Sequence, residues 1–383
     1  MLSRPARGAW SARLFRPQDV EPLSGRMMLL DGLRGLAALA VIFFHYDHFL
    51  QLGPQMTVPP GARERMPLFT VLRPLYDNGH YAVQVFWIIS GFVFATVYYG
   101  RRATTREFIV NRLARLYPLH LLTLCIVAVL QAWALAVFGH WLIYGGNTPA
   151  NFLRHLLFYA WRGDHGWAFN GPIWSVSVEI IIYVVFWMTR GVLPRIGVAG
   201  PALASLAFMG LMAAVGHHPI LACGFYFFWG ATVATARARL ADLPLFGRVS
   251  AAVSLAGLAA LIVAPHGFRD YVAIPASCGG FIALLALAET RAREGVRRIA
   301  GRLGDYSYGV YLWHIPVQLV ILLTVGRMTD MTRLAETPWF LPLFLGLVVA
   351  LATVSFHGVE APARRAIRRL GTVRGAGPAI AAP

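Results

Sequence analysis

Long apolar runs separated by short polar segments make up the chain from residue 27 onward. Ten of these runs approach or exceed the roughly 20 residues that an α-helix needs to cross the hydrocarbon core of a bilayer. The pattern therefore predicts an all-α fold, a polytopic transmembrane helix bundle of about ten spans: 28–50, 79–100, 114–138, 172–191, 197–216, 218–237, 249–266, 270–288, 306–326 and 338–357. The apolar stretch 151–161 is too short to cross and is expected to lie at the interface or to dip back into the protein.

The same pattern divides the chain into one large domain between two tails. Residues 1–26 are rich in Arg and Pro and predict a cytoplasmic tail. No small-residue cleavage site follows the first apolar run, so a cleaved signal peptide is not expected. Residues 27–365 form the predicted transmembrane domain, and 366–383 a second cytoplasmic tail, expected to be disordered.

Composition and charge support this interpretation. Hydrophobic residues make up 57% of the chain and charged residues 13%, about half the usual share in soluble proteins. The net charge of +17 comes from 34 basic residues, all arginine. If the N-terminus is cytoplasmic, ten crossings place 25 arginines in cytoplasmic segments and 8 in outer loops. This bias predicts that both termini are cytoplasmic. It makes membrane lipids, rather than nucleic acid, the expected partner of the basic residues.

Ionisable residues inside the first span are the strongest functional candidates, because a charge within a membrane is costly unless it is satisfied. Arg34 and His45 share one helix face and lie roughly 16 Å apart along the axis. This spacing suits an anionic donor that enters from the cytoplasm, with His45 as general base at its reactive end. A structural alternative is also open, in which Arg34 extends to the lipid headgroups and His45 caps the helix at the opposite interface.

A second group of arginines opens the third span. Arg112 and Arg115 are three residues apart and share a face, and Arg101, Arg102 and Arg106 precede them. The planar guanidinium fork matches phosphate oxygens, so this patch is a candidate phosphate site. The same residues also fit an ordinary positive-inside belt.

Two further clusters lie in the fourth and ninth spans. Glu179, with Ser175 and Ser177 before it, needs a partner inside the membrane. Arg34 or His45 could supply it, and Glu179 could then orient the imidazole as the carboxylate of a triad does; a structural ion pair is the alternative.

In the ninth span, Tyr311 and His314 can meet on one face and bind acceptor or donor, or simply pack at the interface. Beyond the last span, Glu360 is expected to pair with a neighbouring arginine. The three cysteines, Cys125, Cys223 and Cys278, lack metal-ligand spacing, and no metal site is expected.

Taken in order, these motifs resemble those of the acyltransferase-3 family of membrane acyltransferases. The matching positions run over about residues 28–365: Arg34 with His45, the segment VFWIISGF ending at Phe92, Arg112 with Arg115 and Pro118, Trp174 with Ser175, Ser177 and Glu179, and Ser307 with Tyr308, Tyr311 and His314. Each motif is weak by itself, but five in the family's order are specific.

The resemblance implies transfer of an acyl group, usually acetyl, from cytoplasmic acyl-CoA to a hydroxyl of a saccharide or glycosylated acceptor in the bacterial inner membrane. Acetyl-CoA is then the expected donor, and polysaccharide-assembly proteins are candidate partners. The implied roles are phosphate binding by Arg34, Arg112 and Arg115, base or transient acyl-carrier chemistry at His45 assisted by Glu179 and Arg34, and substrate binding by Tyr311, His314 and Ser177.

Two other function classes are compatible with the residues alone. A transporter or flippase of a sugar or lipid intermediate would also place ionisable residues in the membrane, although no pair of broken helices stands out in matching halves. A structural membrane protein would tolerate replacement of Arg34, His45 and Glu179.

Overall fold

The computed structural model describes residues 25–51, 53–100, 103–161 and 167–371. Most of residues 1–26, the end of the predicted second tail (372–383), and Arg101, Arg102 and Arg162 lie outside this part. The described residues form helices, most of them joined by short turns, with longer connections at 45–68 and 139–148. The helices are α1 Met28–Phe44, α2 Phe69–Asn78, α3 Ala82–Tyr98, α4 Thr105–Phe138, α5 Pro149–Leu156, α6 Trp174–Thr189, α7 Ala199–Val215, α8 Pro219–Leu240, α9 Pro244–Val263, α10 Ile274–Ala288, α11 Glu294–Thr324, α12 Met331–Ala335, α13 Phe340–Ser355 and α14 Ala361–Gly371.

The predicted polytopic helix bundle is confirmed. Within the described residues, nine helical stretches are long and apolar enough to cross a membrane: Met28–Leu50, Phe69–Tyr98, Thr105–Phe138, Gly171–Thr189, Pro219–Leu240, Pro244–Val263, His266–Ala288, Glu294–Arg327 and Phe340–Leu370. The shorter apolar helix α7, with 17 residues, corresponds to the remaining predicted span. The cytoplasmic location of both termini stays a prediction.

Several spans begin earlier than their apolar runs. The third begins at Thr105 instead of 114, because the Thr104 hydroxyl accepts the Glu107 N–H while the Glu107 carboxylate accepts the Thr104 N–H. This capping box lets the helix start in polar sequence and hold Arg112 and Arg115 on a regular helix before the bilayer core.

Helices α1 and α11 form the most extensive contact of the bundle. Gly32 and Gly35 of α1 lie against the backbone of Ala300 and Leu303, and Gly304 of α11 lies against Asp31. Small residues at both surfaces let the two backbones approach closely. This contact fixes the position of α1, which carries Arg34, relative to α11, which carries Tyr311 and His314.

The start of α1 is held by a carboxylate from another helix. Glu289, just after α10, accepts the backbone N–H groups of Met28 (3.0 Å) and Leu29 (2.9 Å), and Arg297 lies 3.2 Å from it. Helix N-termini carry unsatisfied donors and partial positive charge, so a buried carboxylate stabilises this end.

The C-terminal prediction needs correction. Residues 366–371, expected to be disordered, continue α14, which packs on α4. A π-helical turn at Phe356–Glu360 joins α13 to α14 without breaking the helix. The α14 sequence has one apolar and one Arg-rich side, so it is stable where it can lie against another helix.

The bundle has two chemically different ends. The arginine end comprises the first turns of α1 and α4 together with α14. The histidine end comprises the turn His45–Leu50 that follows α1, together with the segment 140–161 that includes the eight-residue helix α5. The predicted non-spanning stretch thus contains a helix too short to cross a bilayer.

Candidate active site

A partly open cavity lies among α1, α3, α4, α6 and α11. Ligand sites are often found between the helices of a bundle. Its polar lining comes from motifs far apart in sequence and consists of Arg34, Ser90, Arg115, Ser175, Glu179, Tyr183, Ser307, Tyr308 and Tyr311. Four of the five motifs found in the sequence therefore converge on this cavity through Arg34, Arg115, Glu179 and Tyr311, and the remaining one contributes Ser90.

Positive charge dominates the arginine end of the cavity. The electrostatic neighbours of Arg115 are Arg34, Arg112 and Arg364, with Asp31 as the opposing charge. We refer to Arg34, Arg112, Arg115 and Arg364 as the arginine cluster. Asp31 is already paired with Arg26, which also bridges to Asp305 at 2.8 Å. The cluster therefore holds more cations than nearby carboxylates, and an anion is the ligand that this arrangement favours.

Arg364 is a member that the sequence interpretation missed. It lies on α14 near Glu360, which is 2% exposed and which has Arg364 and Arg115 as its nearby cations. Glu360 is thus electrostatically close to two arginines, but no salt bridge of Glu360 is found among the described residues, so its predicted pairing stays a prediction. Arg364 was overlooked because it lies at the boundary of the predicted C-terminal tail. In the structure the helix continues from α13 into α14, which places Arg364 beside α4.

Glu179 serves the arginine cluster and does not contact His45. Its carboxylate is 8% exposed, interacts with the Ser90 and Tyr183 hydroxyls, and has Arg34 and Arg112 as its cationic neighbours. The predicted ion pairing with Arg34 is therefore observed as electrostatic proximity, but the predicted triad contact with His45 is wrong. The two groups lie at different levels of the bundle, with Glu179 beside Arg34 and His45 three helical turns beyond Arg34.

Arg112 is held by an aromatic ring. Its guanidinium carbon lies 4.7 Å from the centroid of Phe94, and Arg112 itself is not among the residues that line the cavity. This cation–π contact orients Arg112 without consuming its hydrogen-bond donors. Arg112 and Arg115 therefore keep donors for a ligand, as the phosphate-site interpretation requires.

His45 lies at the histidine end, beyond the cavity lining. Its Nδ1 donates to the Val41 carbonyl at 3.1 Å, which leaves Nε2 of the neutral ring as a proton acceptor. The Gln318 amide donates to the His45 carbonyl (2.6 Å), and its oxygen lies 3.0 Å from His48 Nδ1. The imidazole that was predicted as a base is thus fixed in a tautomer suited to that role.

Tyr311 and His314 connect the cavity to His45. The Tyr311 hydroxyl donates to the Pro172 carbonyl (2.7 Å) and lies 2.8 Å from Ser175 Oγ. One turn further along α11, the His314 ring lies 6.1 Å from the Tyr311 ring and stacks on His45 with a centroid separation of 5.1 Å. A continuous row of polar side chains therefore runs from the arginine cluster to His45.

Ser177, predicted to bind substrate, faces away from the cavity. Its hydroxyl donates to the Ile173 carbonyl at 3.1 Å and accepts the Ala160 N–H at 3.4 Å. Side chains two positions apart on an α-helix point in directions about 200° apart, so only one of Ser175 and Ser177 can face the cavity. The structure places Ser175 there.

His48 and Gln318 complete the histidine end and were also missed. Both are buried and joined by a hydrogen bond, and the His48 ring lies 5.0 Å from His45 and 5.4 Å from Tyr144. Burial raises the pKa of Tyr144, so its phenol stays protonated. The spacing of Gln318 four residues after His314 was a usable signal, because such residues share a helix face.

Comparison with known proteins indicates the family to which the chain belongs. Residues 29–357 match the family model described as an acyltransferase domain. The chain is 26% identical over 345 residues to a Komagataeibacter xylinus protein named as a membrane-bound transacylase, BcsY, covering 82% of this chain and 77% of the relative. It is 28% identical over 252 residues to the exopolysaccharide production protein ExoZ of Rhizobium meliloti, covering 62% and 76%.

A third relative, the acyltransferase MdmB of Streptomyces mycarofaciens, is 31% identical over 164 residues, covering 42% of this chain and 38% of the relative. No solved structure matches the chain. The family match spans the helices that line the cavity and the histidine end, whereas α14, which carries Arg364, lies beyond it. The chain therefore belongs to the acyltransferase-3 family of membrane acyltransferases.

Proposed function

We propose that the protein is a membrane-bound O-acyltransferase of the bacterial inner membrane. It moves an acyl group, with acetyl as the expected one, from acyl-CoA to a hydroxyl of a saccharide or glycosylated acceptor. The observation that carries this proposal is the row of polar side chains between the arginine cluster and His45. It offers an anion site at one end and a proton acceptor at the other, roughly 16 Å away.

The donor enters at the arginine end, which faces the cytoplasm in the orientation that the arginine distribution favours. Arg34, Arg112, Arg115 and Arg364 bind the phosphates of CoA, because several guanidinium groups can each donate paired hydrogen bonds to phosphate oxygens. Glu179 limits the repulsion among these cations and positions Arg34. The thioester arm then extends along the cavity past Ser175 and Tyr311.

The acceptor hydroxyl reacts at the histidine end. Nε2 of His45 takes the hydroxyl proton as the oxygen approaches the acyl carbon, which is general-base catalysis. A site lined by buried side chains keeps water away, so transfer outcompetes hydrolysis. Ser175 takes the acceptor- or donor-orienting role that was expected of Ser177.

A saccharide acceptor is supported by the relative named for exopolysaccharide production. If the acceptor is a growing polysaccharide, polysaccharide-assembly proteins are the partners expected beside the histidine end. The donor is proposed to be acetyl-CoA, and no metal is required for the steps assigned to these side chains.

The test is transfer of labelled acetyl from acetyl-CoA to a panel of oligosaccharides, including cello-oligosaccharides, by purified protein in nanodiscs. We expect His45→Gln to lower the rate by about 10²–10⁴-fold while the variant remains folded. His217→Gln, an exposed histidine between α7 and α8, is the matched control and should act as wild type. Undiminished transfer by His45→Gln would refute the proposed base.

The rival transporter function has a separate readout. Sealed proteoliposomes that hold the protein should not move a labelled oligosaccharide across the membrane when acyl-CoA is absent. Movement without a donor, together with no acetyl transfer, would favour the transporter.

A further inference from the structure

His314 is a fully buried histidine at the junction between the cavity and His45. Its side chain is 0% exposed, and neither Nδ1 nor Nε2 has an aligned hydrogen-bond partner among the described residues, although the carbonyls of Val310 and Tyr311 lie nearby. Buried polar groups are nearly always hydrogen-bonded, so an imidazole left this way is a candidate for chemistry.

The two neighbouring histidines at the histidine end each have one ring nitrogen in a hydrogen bond. His45 uses Nδ1 on Val41, and His48 uses Nδ1 on Gln318. Within this group of three rings, His314 alone has both nitrogens without an aligned partner among the described residues. The neutral ring offers one lone pair for attack and one N–H that it can give up.

His314 lies between the cavity, where the donor is proposed to bind, and His45, where the acceptor is proposed to react. One neighbour is Tyr311, which lines the cavity, and the other is His45, against which it stacks with an interplanar angle of 25°. An acyl group leaving the cavity toward His45 would therefore meet His314 first.

We propose, building on the proposed function, that His314 is a second catalytic residue that carries the acyl group as an N-acyl-imidazole between the CoA thioester and the acceptor hydroxyl. Histidine is among the residues that form such covalent intermediates, which divide one difficult step into two easier ones. The sequence interpretation left open whether His45 is base or carrier; this division assigns the base to His45 and the carrier to His314.

The two steps balance without another reactant. In the first, a ring nitrogen of neutral His314 attacks the thioester carbon, the C–N bond forms, and the C–S bond breaks with its electron pair going to sulfur. The thiolate takes the proton from the other ring nitrogen, giving free CoA and a neutral acyl-imidazole.

In the second step, the acceptor oxygen attacks the same carbon as His45 Nε2 takes the hydroxyl proton. The C–O bond forms, and the C–N bond breaks with its electron pair remaining on His314. His45 then returns the proton to the His314 ring, so both histidines are neutral again. Because the first step needs no acceptor, CoA can depart before the acceptor binds.

The experiment uses purified full-length protein in nanodiscs with labelled acetyl-CoA and no acceptor. We expect a burst of about one CoA released per active protein, since acyl-enzyme accumulation is the kinetic sign of covalent catalysis. Peptide mass spectrometry after rapid quenching should place the acetyl group on His314, and hydroxylamine should remove it. A wild-type protein with acetyl on His45, or without burst or label, overturns the proposal.

Variants separate the two histidines. His314→Gln should lose the burst, whereas His45→Gln should keep the burst and lose transfer to oligosaccharide. His217→Gln, at the exposed histidine between α7 and α8, is the control and should keep the burst. Each variant is first checked for acetyl-CoA binding, so that loss of the fold is recognised. A burst of wild-type size in His314→Gln would also overturn the proposal.

The experiment separates failure of the acyl-carrier proposal from failure of the proposed acyltransferase function. Wild-type transfer of acetyl to oligosaccharide without burst or label would retain the acyltransferase and exclude the carrier. Absence of both transfer and CoA release with every donor and acceptor tested would reject the acyltransferase itself.

Discussion

Single side chains in the arginine cluster decide how the donor is held. Four guanidinium groups share a region in which Asp31 and Asp305 are already paired with Arg26. Glu179 and Glu360 offset part of the repulsion among these partly buried cations, and bound phosphates would relieve more of it. The cluster therefore makes sense physically as a site that is completed by an anion.

Arg364→Gln tests the arginine that α14 adds. Hydrogen bonds to charged groups contribute about 1.5–3 kcal/mol, and 1.4 kcal/mol is about tenfold. We expect the KM for acetyl-CoA to rise at least about 10-fold with little change in kcat, measured by acetyl transfer. The donor acetyl-pantetheine, which lacks the nucleotide phosphates, should be used equally well by wild type and variant.

Arg365→Gln provides the matched control, because Arg365 lies on the exposed side of the same helix. It should leave the KM for acetyl-CoA unchanged. Equal effects of the two substitutions would show that general surface charge, and not a site, attracts the donor.

Ser175 and Ser177 give a second comparison at this scale. Ser175→Ala removes a hydroxyl from the cavity and from Tyr311, and we expect acetyl transfer to fall about 10-fold, equivalent to one hydrogen bond of about 1.4 kcal/mol. Ser177→Ala removes a hydroxyl bonded to the backbone and should leave kcat unchanged. A larger loss of acetyl transfer in Ser177→Ala than in Ser175→Ala would contradict the assignment of Ser175 to the site.

The contact between α3 and α8 shows how closely packed elements support the site. A Cβ on Gly91 would lie 1.7 Å from the Phe227 carbonyl oxygen, and one on Gly230 would lie 1.9 Å from the Ile88 carbonyl oxygen. This reciprocal fit leaves no room for a methyl group. Because α3 also supplies Ser90, Phe86 and Trp87 to the cavity, separation of the helices would disturb the lining.

Gly91→Ala should therefore destabilise the protein, by about 1–3 kcal/mol for overpacking of this kind. The measurement is the thermal unfolding midpoint of purified protein, followed by tryptophan fluorescence. Gly210→Ala on α7 is the control, since a Cβ there would meet nothing within 4 Å. An unchanged midpoint for Gly91→Ala would contradict the close approach.

The helices themselves were predictable because hydrophobic runs directly report burial in lipid or protein. Their ends were not, since polar turns such as the one capped by Thr104 continue a helix beyond its apolar part. The helical continuation through Phe356–Glu360 was hidden for the same reason, and with it the position of Arg364.

For the molecule as a whole, α7 decides the topology. It has 17 residues, slightly fewer than a typical crossing requires, yet the arginine distribution needs it to cross. We expect alkaline phosphatase fused after Gly197 to be inactive in cells and the same enzyme fused after His217 to be active, because only the second would lie outside. Equal activity at both positions would show that α7 does not cross.

The sequence predicted that the distant motifs share one site, but it did not predict which of their side chains lie next to each other. Arg34, Arg115 and Tyr311 were identified by residue type and spacing, which report the face of one helix. Which faces meet depends on how α1, α6 and α11 rotate and pack, and a single sequence does not encode this in a readable form. For that reason Glu179 was assigned to His45 although it lies with Arg34.

The most direct measurement of the central claim is photolabelling by an acyl-CoA whose acyl end carries a diazirine. After irradiation, labelled peptides are identified by mass spectrometry, with excess CoA as competitor. If the donor extends from the arginine cluster toward His45, the label should fall on the α11 segment 307–314 and the α6 segment 174–179, and CoA should suppress it. Competed labelling confined to α7 or α9 would contradict the account.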